Sequence, residues 1–237
     1  MNFRHFILTR FNINITAANF SLRLEDTWLS LRFDLFQRFC FPSVRGQSCQ
    51  DFTWLVLFDE QTPKLYQRVI AAYAAYANFL PLFCGPHDTV LPQAVAKMRE
   101  LAPEAEWLLT TRLDNDDALA KDFVRCLHEV ARSADAVRPE PGGPVYINFP
   151  MGLQYHENRV YDFADLTNAF VSLLEPAESA QTVFWVDHPA IYDKAPVIQA
   201  KAKPMWLQNV HGTNVYNYLR GVPVKDADPL RDFALEL

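Results

Sequence analysis

The chain has 237 residues, of which 50% are apolar and 21% are charged, so a sizeable buried core is expected and disorder is not. The formal net charge of −6 argues against a protein that binds nucleic acid through a basic face. The four cysteines form no C-x-x-C pair, which favours reduced, mostly buried thiols in a cytoplasmic protein.

No segment has the pattern of a signal peptide or a membrane span. The apolar run before Thr9 and Arg10 is too short for a secretory signal. The stretch Val69–Cys84 falls short of about 18 apolar residues, and Asn78 and Pro81 interrupt it. We therefore expect no transmembrane segment, although peripheral contact with a membrane stays open.

Strand and helix patterns alternate through the first half of the chain. In chain order they predict a strand at His5–Phe11, a helix at Asp26–Phe39, a strand at Phe52–Phe58, a helix at Thr62–Asn78, a strand at Asn78–Cys84, a helix at Pro92–Leu101, a strand at Trp107–Leu113 and a helix at Ala118–Ala131. This alternation predicts an α/β fold built from βαβ units, with a mostly parallel sheet and helices on both faces.

The second half of the chain is less regular. A turn-rich break at Arg138–Pro144 separates it from the first half. Two predicted strands follow, Val145–Phe149 and Arg159–Phe163, and they could form a hairpin. The remaining predicted elements are a short helix at Leu166–Leu174 and strands at Thr182–Val186 and Met205–Val210. We interpret the chain as a single fused domain with two halves, residues 1–138 and 139–237.

An acidic cluster, Asp114-Asn115-Asp116-Asp117, follows the strand predicted at Trp107–Leu113. If that strand continues, Arg112, Asp114 and Asp116 point the same way, because side chains alternate along a strand. Carboxylates at the carboxyl end of a strand lie where α/β folds bind ligands. Mg²⁺ or Mn²⁺ takes oxygen ligands from such carboxylates and from phosphate. The cluster therefore predicts a Mn²⁺ or Mg²⁺ site for a nucleotide diphosphate, with Arg112 pairing with a phosphate oxygen.

The same cluster has a purely structural alternative. Asn115, Asp116 or Asp117 could cap the helix predicted to begin near Ala118, because acidic residues are common at helix N-termini. The spacing alone leaves both interpretations open. An EF-hand loop fits less well, since Ala118 and Leu119 stand where it needs an oxygen ligand and a glycine.

Segments spread over most of the chain match a known pattern. They are Phe6–Asn12, Pro42–Val44 with Gln47, Phe52–Pro63, Thr111–Leu119 and Trp206–Asn214, and the string Arg112–Asp117 is the most specific. In them the chain resembles the putative rhamnosyltransferase family, GT-A-like bacterial proteins related to the family-2 glycosyltransferases. The resemblance implies a hexosyltransferase of polysaccharide biosynthesis. Such an enzyme moves a sugar, with rhamnose as a candidate, from a nucleotide diphosphate sugar to a glycan or lipid-linked glycan acceptor.

The resemblance also implies roles for individual residues. Residues 1–138 become a Rossmann-like nucleotide-sugar-binding half, and 139–237 an acceptor-binding half. The implied nucleotide-sugar ligands are Thr9, Arg10, Asp59, Arg112 and Asp114, and the implied metal ligands are Asp116, Asp114 and His211. The alternatives are a turn residue for Asp59, a surface charge for Arg10 and a hydrogen-bonded strand-end histidine for His211.

The catalytic base has to be inferred separately, because the Glu-Asp pair common in family-2 enzymes is not evident. An inverting transferase needs a carboxylate or a histidine that takes the proton of the acceptor hydroxyl. Asp187 and His188 end the strand predicted at Thr182–Val186, and the neighbouring Trp185 could stack on a sugar. We predict Asp187 as the base and His188 as a neighbour that tunes or replaces it. The alternative is that both only terminate the strand.

Two other functions compete with a glycosyltransferase. One is a non-catalytic protein that binds a nucleotide sugar or a glycan on the same fold. The other is a nucleotidyltransferase, which usually has a Gly-rich, basic loop after the first strand. Residues 12–19 contain no glycine and no lysine, which argues against it.

Overall fold

A seven-stranded sheet forms the centre of the computed structural model, which describes residues 2–14, 20–134, 142–212 and 218–237. The described strands are β1 (Phe3–Arg10), β2 (Thr53–Asp59), β3 (Phe79–Cys84), β4 (Trp107–Arg112), β5 (Ala118–Leu119), β6 (Val145–Asn148), β7 (Met151–His156), β8 (Arg159–Ala164), β9 (Ser172–Pro176), β10 (Val197–Gln199), β11 (Trp206–Asn209) and β12 (Val222–Pro223). The described α-helices are α1 (Asp26–Leu35), α2 (Phe41–Arg45), α3 (Lys64–Tyr73), α4 (His87–Leu101) and α5 (Phe123–Ser133), and a π-helical turn at Phe36–Cys40 joins α1 to α2.

The central sheet has the strand order β10-β6-β9-β4-β1-β2-β3. Most neighbours in it are parallel, and β9 runs antiparallel to both β4 and β6. A second sheet has the order β12-β8-β7-β11-β5. The predicted α/β fold is confirmed: a single domain with a mostly parallel central sheet and helices around it.

Helices cover both faces of the central sheet, as β2 illustrates. Trp54, Val56 and Phe58 point into the apolar cluster formed with α1, α3 and α5. Leu55 and Leu57 point into the cluster under α4. All five side chains are fully buried, which explains why the strand is a continuous apolar run instead of an alternating one.

The predicted hairpin between Val145–Phe149 and Arg159–Phe163 is wrong. β6 lies in the central sheet, whereas β8 pairs with β7 in the second sheet. β7 and β8 form a hairpin instead, and its turn is at Glu157 and Asn158, which have positive φ angles of 49° and 60°. Two consecutive residues with positive φ make a tight turn that matches the twist of the strands, and asparagine tolerates this conformation better than most residues.

Two further elements of the second half differ from prediction. The helix predicted at Leu166–Leu174 is a turn followed by β9. Asn168 fixes that turn, because its side-chain amide donates to the carbonyl of Phe149 at 2.9 Å and its oxygen accepts from the N–H of Phe170 at 3.0 Å. The strand predicted at Thr182–Val186 is a loop, and Thr182 has a φ of 70°.

Some predictions fall partly outside the described residues. They are the break at Arg138–Pro144, the end of the segment Trp206–Asn214 and much of the stretch 12–19. All four cysteine side chains are free thiols. Within the described ranges, no helix combines the length and the apolar character needed to cross a membrane.

Candidate functional site

The acidic cluster forms a tight turn between the two sheets. The N–H of Asp117 donates to the carbonyl of Asp114 at 3.3 Å. β4 ends at Arg112, so the strand does not continue through the cluster. β5 follows at once and pairs with β11. The cluster therefore lies at the carboxyl end of a central strand, as predicted.

The helix after the cluster begins later than predicted. Ala118 and Leu119 form β5, because they pair with β11, and α5 begins at Phe123 with Asp122 as its N-cap residue. The prediction of a helix from Ala118 is therefore wrong, and so is the alternative that the cluster caps this helix. The carboxylates are left for other contacts.

Asp116 is held between Arg32 and His211. Its Oδ2 accepts a hydrogen bond from Nη1 of Arg32 at 2.6 Å and lies 2.8 Å from Nε2 of His211. Arg32 comes from α1, where its guanidinium lies 5.3 Å from the ring of Trp28. Asp116 is only 5% exposed, so these interactions are shielded from water.

Asn115 and Asp117 fix the shape of the turn. The side-chain amide of Asn115 donates to the carbonyl of Phe11 at 3.0 Å, and its oxygen accepts from Arg32 at 3.2 Å. Oδ1 of Asp117 accepts from the N–H of Asn209 at 2.8 Å. Burial raises the pKa of Asp117 well above its usual value, and the nearby acidic groups raise it further. Asp117 therefore ties the cluster to β11, two residues before His211.

Asp114 faces the arginines of the neighbouring strands. Its Oδ2 accepts from Nη2 of Arg112 at 3.0 Å. Burial opposes ionisation of Asp114, but the charges of Arg112 and Arg10 outweigh it and hold the pKa of Asp114 below its usual value. Burial and the charge of Arg112 lower the pKa of Arg10, because the two guanidinium groups repel each other. Arg10 and Arg112 thus form one cationic group beside Asp114.

The loop after β9 lies against this pair of arginines. The ring of Phe184 is 4.5 Å from the guanidinium carbon of Arg10 and 5.9 Å from that of Arg112. Asp187 is exposed, and its charge attracts both arginines. The predicted base therefore lies on the same side of the site as Asp114. Its catalytic role stays a prediction.

His188 is turned towards the backbone. Its Nδ1 donates to the carbonyl of Thr167, which leaves Nε2 as the acceptor nitrogen of the neutral ring. Burial lowers the pKa of His188, and its hydrogen bond to Thr167 partly opposes this. The alternative that Asp187 and His188 terminate a strand is wrong, because residues 182–186 form a loop.

Thr9 and Asp59 are engaged within the protein. The hydroxyl of Thr9 is buried and accepts from Nε1 of Trp54 at 2.9 Å. Asp59 accepts from the N–H of Gln61 at 2.8 Å with one oxygen and from Nε of Arg23 at 3.0 Å with the other. The first contact is the one expected of a turn residue. Nucleoside binding by Thr9 and Asp59 stays a prediction.

The predicted metal ligands separate into two groups. Asp116 and His211 meet at 2.8 Å, whereas Asp114 is paired with Arg112. In the part of the chain that the structure describes, no three His, Cys, Asp or Glu side chains converge as a metal-binding group. Carboxylate and imidazole both ligate divalent cations, and one or two protein ligands suffice when phosphate and water supply the rest. Asp116 and His211 therefore fit a site of this open kind, although Arg32 shares the same oxygen.

Several solved structures are similar to this chain at low identity. S. aureus TarS 1–349 in complex with UDP has 12% identity and a TM-score of 0.48, and the match covers 89% of this chain and 61% of that chain. The mannosyltransferase PcManGT from Pyrobaculum calidifontis, in complex with GDP-Man and Mn²⁺, has 9% identity and a TM-score of 0.42, with coverages of 89% and 58%. This chain thus spans less than two thirds of the length of either protein.

The sequence matches a protein family but no individual curated protein. No curated protein matches this chain. The family described as Putative rhamnosyl transferase matches residues 7–221, which is most of the sequence and includes the acidic cluster and His211. The predicted family is confirmed: this chain belongs to the Putative rhamnosyl transferase family.

Proposed function

We propose that this chain is a metal-assisted glycosyltransferase that moves a hexosyl group, with rhamnose as the first candidate, from a nucleotide diphosphate sugar to a hydroxyl group of a glycan or lipid-linked glycan. The observation that carries the proposal is the contact between the Asp116 carboxylate and the His211 imidazole, 2.8 Å apart at the carboxyl end of the central strands. Membership of the family supports the same reaction.

The arginines beside the cluster suit the charge of the donor. Arg10 and Arg112 lie together under one aromatic ring. A guanidinium group offers several N–H donors in a fixed plane, a geometry that matches phosphate oxygens. Negative charge builds up on the diphosphate as the bond to the sugar breaks, so fixed cationic groups stabilise the transition state more than the bound donor.

Asp116 and His211 are the residues that would hold Mn²⁺ or Mg²⁺. A divalent cation bound there supplies further stabilisation of the leaving diphosphate. Asp117 helps to position this pair, because it accepts a hydrogen bond from the N–H of Asn209 and so fixes the end of β11 next to His211. Residues that hold ligands in one orientation contribute to metal affinity.

Asp187 is the proposed base. Its carboxylate takes the proton of the acceptor hydroxyl while the oxygen of that hydroxyl attacks the anomeric carbon, and the sugar–phosphate bond breaks with its electron pair going to the diphosphate. Asp187 is exposed, so an acceptor can reach it, and it lies close enough to Arg10 and Arg112 to attract their charges. Nε2 of His188 is a second acceptor for the proton.

A cavity next to His211 is the candidate for part of the acceptor site. Its volume is about 330 Å³, within the range of about 300–1,000 Å³ that is typical of small-molecule sites. Its rim includes the β7–β8 turn, with His156, Glu157 and Asn158, and Arg38 from the helical side. These polar groups can donate to and accept from sugar hydroxyls, which supports an acceptor role for residues 139–237.

The proposal is tested with a panel of nucleotide sugars in Mn²⁺, in Mg²⁺ and in chelator. We expect binding by calorimetry that is tighter with the cation, and slow release of nucleoside diphosphate when a glycan acceptor is added. Asp116→Asn should weaken the cation dependence, whereas the exposed Asp88→Asn should not. Binding without any turnover would favour the non-catalytic alternative, and absence of binding to every donor would contradict the proposal.

A further inference from the structure

Glu175, a buried carboxylate on β9, holds a loop by its backbone. It is only 3% exposed. Its Oε2 accepts from the N–H of Gln181 at 2.7 Å and its Oε1 accepts from the N–H of Thr182 at 2.8 Å. Thr182 has a φ of 70°, which is uncommon for a β-branched residue and costs free energy unless its surroundings hold it. Glu175 supplies that hold.

Thr110 of β4 extends the anchor along the loop. Its Oγ1 accepts from the N–H of Val183 at 2.8 Å, and Oγ1 of Thr182 accepts from the N–H of Phe184 at 3.2 Å. Four successive N–H groups therefore have side-chain acceptors. Because Thr110 and Glu175 belong to neighbouring strands of the central sheet, the loop is fixed directly to that sheet.

Phe184, the last residue of this anchored loop, lies against the two arginines. Its ring lies 4.5 Å from the guanidinium carbon of Arg10 and 5.9 Å from that of Arg112. Two like charges repel each other, and an aromatic face attracts both. Phe184 therefore favours an arrangement in which the two cationic groups stay together, and the anchored backbone determines where its ring lies.

We propose that Glu175 is a positioning residue of the donor site, which fixes the backbone of residues 181–184 so that Phe184 holds Arg10 and Arg112 together for the diphosphate. This inference rests on the proposed function, since it assigns the arginines to the donor diphosphate. Glu175 itself touches no donor group in this arrangement. It acts through the loop and through Phe184.

The main test is Glu175→Gln, with Glu178→Gln as its matched control. Glutamine keeps the shape but places an NH₂ group against one of the two backbone N–H donors. Glu178 is an exposed acid on the same segment. Hydrogen exchange should become faster in residues 181–184 of the Glu175 variant and stay unchanged in β1 and β2. Its affinity for UDP, GDP and dTDP, measured by calorimetry at one fixed Mn²⁺ concentration, should fall roughly tenfold for whichever of them the wild type binds.

A double-mutant cycle separates positioning from general stability. If Glu175 acts through Phe184, adding Glu175→Gln to Phe184→Leu should weaken binding little beyond the effect of Phe184→Leu alone. Should the Glu175 variant not fold, Thr110→Val removes the neighbouring anchor without changing side-chain shape, and the same loss of affinity is expected. Wild-type affinity in a folded variant with a loosened loop overturns the inference. Failure of the wild type to bind any nucleoside diphosphate instead overturns the proposed donor site, and this inference with it.

Discussion

Arg32 and Asp116 form a buried salt bridge of 2.6 Å, and the carboxylate oxygen that takes part in it is the one that faces His211. The guanidinium group of Arg32 thus binds the carboxylate that we propose as a ligand of the divalent cation. Burying both charges together avoids the cost of leaving Asp116 alone in a water-poor site. A divalent cation at Asp116 must therefore compete with Arg32.

The first prediction follows from this competition. Arg32→Gln should bind Mn²⁺ more tightly than the wild type, by about fivefold to tenfold, because the favourable partner that the cation displaces has gone. Without the cation the variant should be less stable, since breaking a buried pair costs about 3–5 kcal/mol. Electron paramagnetic resonance of Mn²⁺ measures the affinity, and thermal unfolding with and without Mn²⁺ measures the stability.

A control for this experiment lies at the end of the same helical segment. Arg38 pairs with Asp34 at 3.5 Å, and its side chain is 39% exposed. Arg38→Gln should leave both the Mn²⁺ affinity and its effect on stability unchanged. Equal Mn²⁺ affinity in the Arg32 variant and the wild type would show that Arg32 and the cation do not share Asp116.

The second prediction concerns the proposed base. Asp187→Asn keeps the shape of the side chain and removes its basicity, so transfer to an acceptor should fall by about 10²-fold or more, with no loss of donor affinity. Asp193→Asn, in the same segment, is the control. Near-normal transfer by the Asp187 variant would remove it from the mechanism. His188→Gln would then be the next variant to measure.

The third prediction is a pH dependence at Glu175. Burial raises the pKa of Glu175 from its usual value of 4.5 to about 7, although its two backbone N–H contacts oppose this shift. The buried group that faces it is Tyr146, whose pKa is raised to about 12 by burial and by the charge of Glu175. As the pH rises, Glu175 loses its proton at a lower pH in the unfolded chain than in the folded chain. The contribution of Glu175 to stability is therefore complete below pH 4.5 and is lost as the pH rises through 7.

The comparison with Glu175→Gln isolates this contribution. At pH 5 the variant should be less stable than the wild type by about 1 kcal/mol, the usual loss for one hydrogen bond. As the pH rises to 8, the free energy of unfolding of the wild type should fall by up to about 3 kcal/mol, a loss that the variant does not share. The difference in stability between the two proteins should therefore shrink or reverse. Urea unfolding at several pH values measures the difference, and a constant deficit would contradict the raised pKa.

Most of the first half of the fold could be predicted from sequence because its elements are set locally. The start of α5 is the exception, since β5 pairs with the distant β11. β2 is a run of apolar residues bounded by polar ones. Such a run predicts a buried strand whichever elements pack against it. The second half depends on partners far along the chain. Ser172–Pro176 has helix-forming leucines, yet it is a strand because β4 and β6 pair with it on both sides. Spacing within the segment contains no information about those partners.

The candidate site was predictable to a similar extent. Asp116 and His211 share a family pattern, and the structure brings them together. Arg32 and Glu175 were missed, because nothing in the residues around either one indicates its partners. Arg32 lies on α1 and meets Asp116, 84 positions further along the chain, only through the tertiary fold. A buried charge of this kind becomes visible only when the contacts are known.

The last prediction concerns two buried histidines beneath the site. Nδ1 of His5 lies 3.0 Å from Nε2 of His128, and Nε2 of His5 lies 2.9 Å from the hydroxyl of Thr111, the residue before Arg112. Burial lowers the pKa of His128 from 6.5 to about 4, and burial together with the neighbouring ring lowers the pKa of His5 well below 6.5. Both rings are therefore neutral in the folded protein at pH 7.

Acid should destabilise the protein through this pair. The unfolded chain takes up protons below pH 6.5 and the folded chain does not, so the contribution to stability is complete above pH 6.5 and is lost as the pH falls towards 4. His128 alone accounts for about 3 kcal/mol over this range. Replacing both rings, His5→Phe with His128→Phe, removes donor and acceptor of their mutual contact together. The hydroxyl of Thr111 keeps the hydroxyl of Ser172 at 2.7 Å, so the double change should cost little at pH 7.5. Urea unfolding between pH 4 and 7.5 should then show a flatter pH dependence in the double variant, whereas the exposed His87→Asn should follow the wild type. An equally steep loss of stability in the double variant would assign the acid sensitivity to other groups.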